Sequence, residues 1–185
     1  SAMSDHDTSA SGGDTKHEEG EAATSAGAGQ VVVVTGGNKG IGFEVCRQVA
    51  VAWPTADVIL ASRDQDRGEA AVATLTSDGV TNVRFLATLD VGSAESVAAF
   101  AAALAAAVPR VDVLVNNAGF LGDTLQTSDD DFEMHFVVNV LAPWRLTHAL
   151  LPVLKAAPHA RVINVSGGDK PARVDPENLQ AEKGF

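Results

Sequence analysis

The sequence predicts an α/β fold, a doubly wound sheet of parallel strands with helices on both faces, and three observations carry that prediction. From Gln30 onward short apolar runs alternate with longer helix-forming segments, the rhythm of βαβ units. The first run, Val31 to Val34, is unbroken valine, the pattern of a strand buried on both faces. It passes straight into Thr35-Gly-Gly-Asn-Lys-Gly-Ile-Gly42, a glycine-rich turn of the kind that joins such a strand to its crossover helix.

The elements follow in order. Strands are expected at Val31–Thr35, Asp57–Ala61, Asn82–Thr88, Val111–Asn116 and Arg161–Val165. Between them fall helices at Ile41–Ala52, Gln65–Thr76, Ala94–Ala107 and Asp130–Lys155. The third, AESVAAFAAALAAA, is a strong helix former with Ser93 and Ser96 flanking its start. The fourth is long and amphipathic, with Phe132, Phe136, Val140, Leu146, Leu150 and Leu154 along one side. Pro143 within it predicts a kink.

Ahead of these elements, residues 1–29 are small and polar, and Ser1-Ala2 before Met3 reads as an expression remnant. The rest of this tail cannot bury enough apolar area to offset its ordering entropy, so a disordered acidic segment is expected. Its six acids (Asp5, Asp7, Asp14, Glu18, Glu19, Glu21) against Lys16 account for -5 of the formal net charge of -11. They argue against an organelle transit peptide, and a cytoplasmic location is expected. Residues 30–185 are expected to form one domain, because 185 residues at 45% hydrophobic suffice for a single core.

The acidity disfavours nucleic acid and any polybasic membrane contact, and no apolar run reaches membrane-spanning length. Five scattered histidines and a single cysteine give neither a metal site nor a disulfide framework. Cys46, in a predicted helix among apolar neighbours, reads as a small buried hydrophobe.

The glycine turn can do specific work. Gly36, Gly37, Gly40 and Gly42 let backbone approach a ligand, and the amides of Gly40 and Ile41 open a helix whose N-terminus favours phosphate.

Further motifs sit at the other strand ends: Leu89-Asp90-Val91 after the third, Asn116-Asn117-Ala118-Gly119 after the fourth, Asn139 in the long helix, and Ile163-Asn164-Val165-Ser166-Gly167 closing the fifth. With the TGxxxGxG turn they resemble, in order and placement, the short-chain dehydrogenase/reductase family over Val31 to Gly167. GGNKGIG, Leu60-Ala-Ser-Arg-Asp64 and Leu114-Val-Asn-Asn-Ala-Gly119 look most like its carbonyl-reductase branch. The resemblance implies a Rossmann-type sheet and an oxidoreductase that reduces aldehydes, ketones or quinones with NADPH. It places Asp90 and Val91 against adenine and Asn117, Ala118 and Gly119 near the cofactor ribose. Asn38 belongs with the turn. A solvated loop carboxylate is the plain alternative for Asp90, and for Asn116 a bond between adjacent strands is favoured.

Cofactor choice turns on the second strand's end, where Ser62 and Arg63 stand where NAD-specific relatives often carry an acid. Arg63 with Lys39 would pair with a 2′-phosphate, which favours NADP(H) over NAD(H). Asp64 is the counter-indication, since a small shift of the strand end would bring it to the ribose.

For the chemistry, the family uses Asn, Ser, Tyr and Lys. Asn139 matches its asparagine, with a side-chain-satisfied helix kink as the alternative. Ser166 is followed by Gly167 where relatives carry a Ser pair, so either Ser166 takes the role after a backbone adjustment or the site lacks its hydroxyl. The sequence contains no Tyr. The residues after Ser166 resemble the excursion that carbonyl reductases place before theirs, so the Tyr-x-x-x-Lys is expected beyond Phe185 and the sheet to be truncated after its fifth strand. That strand would be an exposed edge, open to pairing in a homo-oligomer. The expected partner is a small carbonyl substrate; the alternative is a catalytically inactive dinucleotide-binding or scaffold module.

Overall fold

The computed structural model describes residues 29–167 and 175–183. The expectation for the acidic tail therefore lies outside the described residues, apart from Gly29. The elements are β1 (Val31–Thr35), α1 (Gly40–Ala52), β2 (Asp57–Ser62), α2 (Gln65–Ser77), β3 (Val83–Thr88), α3 (Ala94–Ala107), β4 (Val113–Asn116), α4 (Ala142–Ala149), α5 (Leu151–Lys155) and β5 (Arg161–Asn164). A single helical turn, Met134–Phe136, and a π-helical segment, Val137–Leu141, lead into α4.

The sheet is parallel throughout, in the order β3-β2-β1-β4-β5. The chain winds outward from β1 to β3, then crosses back to β4 on the other side of β1. The reversal lies between β1 and β4, and at the carboxyl end of such a switch point the flanking loops splay apart and leave a crevice.

Alternation along the strands splits the core in two. Val31, Val33, Ile59, Ala61 and Leu114 face α3, α4 and α5, meeting Phe100, Leu104, Leu146 and Leu150. Val32, Val34, Val58 and Leu60 face α1 and α2, meeting Cys46, Ala50, Ala71 and Leu75. The unbroken valines of β1 thus serve both faces at once, as a central strand requires. Cys46 is fully buried, and burial pushes its thiol up to about 12, so it packs as a hydrophobe. β5 differs from the rest: all of its residues are exposed, Val162 and Ile163 among them.

Most expected boundaries agree to within two residues, and the differences have local causes. β4 starts at Val113 because buried Asp112 turns its carboxylate onto the Val31 amide (2.8 Å) and receives Arg110. The last helix departs most from expectation. Residues 130–133 are not helical, and the pieces from Met134 to Lys155 do not form one continuous helix. The amide of Ala142 reaches back five residues to the Val137 carbonyl, so the widened turn absorbs one extra residue and rotates what precedes it. Leu146, Leu150 and Leu154 face inward as expected, but Val137 and Val138 take the buried places while Phe132 and Val140 are exposed. Pro143 enters as the second residue of α4, and the irregularity precedes it.

Among the described residues no helix is long and apolar enough to cross a membrane, and no group of three or more His, Cys, Asp or Glu could hold a metal ion.

Candidate dinucleotide cleft

Three helices begin at the carboxyl edge of the sheet, and their first turns differ. Asp64 caps α2 by accepting the Arg67 amide (3.0 Å), and Ser93 caps α3 by accepting the Ser96 amide (3.2 Å). At α1 the capping position is Lys39, which makes no side-chain capping bond, and the first turn carries no acid. The orphan amides of α1 are thus left for another acceptor at the point where its dipole favours negative charge.

The turn that delivers these amides is clipped to both neighbouring strands. The Gly37 amide donates to Ala61 of β2 (3.1 Å). Thr35 Oγ1, buried at the end of β1, accepts the amides of Asn117 and Ala118, both at 2.9 Å. Asn117 Nδ2 returns to the Thr35 carbonyl (2.9 Å). Gly36 takes a positive φ of 64° against this loop. Gly42 lies beneath it, where a Cβ would come within 2.4 Å of both Asn117 Nδ2 and the Gly36 carbonyl oxygen.

Above this scaffold opens a cleft of about 810 Å³. Gly36, Asn38, Lys39, Gly40 and Ile41 form one wall, Arg63 a second, Asp90 and Val91 a third, and Asn117, Ala118 and Gly119 a fourth. Of the cofactor residues expected from sequence, only Gly42 is not in the lining; it supports the turn from below. Asp90 builds the loop as well as lining it: its Oδ1 accepts the Gly92 amide (2.9 Å), and its own amide donates to Ser96 Oγ (2.9 Å). Asn116 has the structural role favoured for it, donating to Asn164 of β5 (2.9 Å).

Asn139 and Ser166 are outside this lining. Asn139 clasps the loop after β4, its Oδ1 accepting the Phe120 amide and its Nδ2 donating to the Phe120 carbonyl, each at 2.9 Å. Its backbone carbonyl has no amide four residues on, because that position is Pro143. Ser166 is exposed beyond β5, next to the Val165 amide that donates to Asn116 (2.9 Å).

The cleft also holds residues that sequence reasoning missed. Arg67, in the first turn of α2, lines the cleft together with Arg63, which precedes the helix cap Asp64. Gln126, Thr127, Ser128 and Asp129 line the opposite side from an irregular loop with no periodic signal. Asp64, the counter-indication at β2, also lines the cleft, with its carboxylate on the α2 cap and on Arg67 Nε (3.3 Å).

Comparison with known proteins fits this geometry. The family model described as short chain dehydrogenase matches residues 30–171. Retinol dehydrogenase 11 of Mus musculus is 38% identical over 156 residues, covering 84% of this chain and 49% of that protein. The chain thus spans about half the length of this curated relative. A crystal structure of an uncharacterized protein from Mycobacterium Paratuberculosis superposes with a TM-score of 0.71 at 34% identity, over 85% of this chain and 54% of the other. A metagenomic short-chain oxidoreductase in complex with NADP gives 0.66 at 32% identity, over 78% and 66%. The expected carbonyl-reductase likeness is not the name these relatives carry; the curated one is a retinol dehydrogenase.

Proposed function

Because the chain belongs to the short-chain dehydrogenase family, we propose that its cleft binds NADP(H) in preference to NAD(H), and that the protein to which the cleft belongs reduces carbonyl compounds. The observation that carries this reading is the uncapped start of α1 in a cleft rimmed by Lys39, Arg63 and Arg67. The glycine cradle over Asn117 leaves room for a pyrophosphate against the α1 amides. The three cations suit a further phosphate at the end of β2, where an NAD site would present a free carboxylate to the ribose. Asp64 lines the same cleft, capping α2 and paired with Arg67, and Arg63→Glu separates its influence from that of the arginines. Structural neighbours in complex with NADP or NADPH support the phosphate reading.

When bound, the dinucleotide supplies the hydride. This chain's residues bind and orient: Asp90 and Val91 at the base, Lys39, Arg63 and Arg67 at the ribose phosphate, and Asn117 to Gly119 at the second ribose. Retinol dehydrogenases among the relatives support an alcohol–carbonyl couple as the substrate class. The second reading, a catalytically silent dinucleotide module, draws on the absence of tyrosine from the sequence.

Fluorescence titration tests the cofactor assignment. NADPH is expected to bind more tightly than NADH, and Arg63→Glu to reverse the order. Equal affinities in the parent chain would overturn the assignment.

A further inference from the structure

The loop that follows β4 is held from above by a hydrogen-bonded relay that the cofactor contacts do not explain. Gly119, Phe120 and Leu121 line the cleft, and the next amide, Gly122 N–H, donates to His135 Nε2 (3.0 Å). A backbone amide can only donate, so Nε2 is the unprotonated nitrogen and the ring proton sits on Nδ1. Nδ1 lies 2.6 Å from Glu133 Oε1, whose carboxylate also accepts the amides of His135 (2.8 Å) and Phe136 (2.7 Å). Phe120 packs edge-on against the imidazole with centroids 4.9 Å apart. The Glu133 amide in turn donates to Gln180 Oε1 (2.7 Å) on the segment that follows β5.

Strand order tells which part of the ligand this loop meets. The cations at the end of β2 mark the adenosine phosphate end, and the α1 amides beside β1 mark the pyrophosphate. Continuing in the same direction across the sheet leads to β4 and to residues 119–122, which would then hold the nicotinamide-bearing half.

Resting on the NADP(H) reading, we infer that His135 is a positioning residue: its tautomer, fixed by Glu133, sets the Gly122 amide and so fixes the loop wall against the nicotinamide half of the cofactor. The His135 bonds to Gly122 and Glu133 bear on the loop after β4, so NADPH and its adenosine half alone are expected to respond differently to their loss.

The test measures NADPH and adenosine 2′,5′-bisphosphate binding to the parent chain and to two variants. His135→Phe keeps a ring beside Phe120 but removes the acceptor; His135→Gln places an amide oxygen near the Nε2 position. His135→Phe is expected to weaken NADPH at least tenfold while leaving the bisphosphate within twofold, and His135→Gln to restore most of the loss. Unchanged NADPH affinity in His135→Phe, an equal loss for both ligands, or no recovery in His135→Gln would overturn the proposal. A parent chain that binds neither ligand would overturn the cofactor reading itself. Should His135→Phe fail to fold, the parent chain still decides: its ring ¹⁵N resonances are expected to show the neutral Nδ1–H tautomer with Gly122 protected from hydrogen exchange, and a Nε2–H ring or an unprotected Gly122 would refute the positioning role.

Discussion

Gly42 shows how one missing methyl group organises the cleft. It is the third residue of α1, and its Cα faces the Asn117 side-chain amide and the Gly36 carbonyl so closely that any Cβ would sit 2.4 Å from each. Alanine is the better helix former by about 1 kcal/mol. Here that gain is outweighed, because the obstructing carbonyl belongs to backbone and Asn117 is already bonded to Thr35. Gly42→Ala is therefore expected to destabilise the fold by roughly 1–3 kcal/mol, the usual cost of overpacking, and to weaken NADPH. Urea unfolding checks the first effect; an unchanged midpoint would show that the turn yields. This residue was legible in the sequence as part of a spacing, TGxxxGxG, but its contact with Asn117 was not, since the partners stand 75 positions apart and meet only through the β1–β4 pairing.

At the scale of elements, strands were easier to read than the last helix. Valine-rich runs bounded by Gly, Asp and Asn leave one interpretation, so β1 to β5 were placed within two residues. The π-helical turn left no such mark: adding one residue shifts the apolar face upstream, and a 3.6-residue periodicity fitted through Leu146 and Leu150 then chooses Val140 where the fold buries Val137 and Val138. The loop at residues 121–129, with no period, hid the far cleft wall, and a helix expected from Asp130 through Phe132 hid the Glu133 cap, because residues 130–133 are not helical. That cap carries a pH prediction. Burial, the largest single influence on Glu133, raises its pKa, but the amides of His135 and Phe136 and the His135 side chain together outweigh it and leave the carboxyl below its ordinary 4.5. A lowered folded value means the carboxylate's stabilisation is complete above about pH 4.5 and is lost as pH falls through the folded pKa. Glu133→Gln is thus expected to cost about 1–3 kcal/mol near pH 7, the penalty for a buried acceptor lost to its donors. The gap from the parent chain should narrow below pH 4.5, as followed by urea unfolding at stepped pH. A gap that stays constant with pH would show that the charge is not what the helix head uses.

For the molecule as a whole, binding and turnover are separable. The cleft draws its walls from the loops at the carboxyl ends of β1 to β4, the starts of the helices that follow and the loop at residues 126–129, whereas β5 leaves Val162 42% and Ile163 46% exposed and contributes no lining residue. A ligand held by those walls stabilises the folded state through mass action, by RT ln(1 + [L]/Kd), or about 2.7 kcal/mol at a hundredfold excess over Kd. NADPH at that excess is accordingly expected to raise the melting temperature of the 185-residue chain by several degrees. Reduction asks for more, because the alkoxide formed by hydride addition must take up a proton from a group positioned at the carbonyl. The family's tyrosine is not in this sequence, and Asn139 and Ser166 do not line the cleft. Asn139 has both side-chain polar atoms committed to Phe120. The same preparation that is stabilised by NADPH is therefore expected to show no steady NADPH oxidation with simple aldehydes or quinones. Sustained turnover by protein of confirmed intact mass would reveal a proton donor other than tyrosine, and the absence of thermal stabilisation would refute NADPH binding in the cleft.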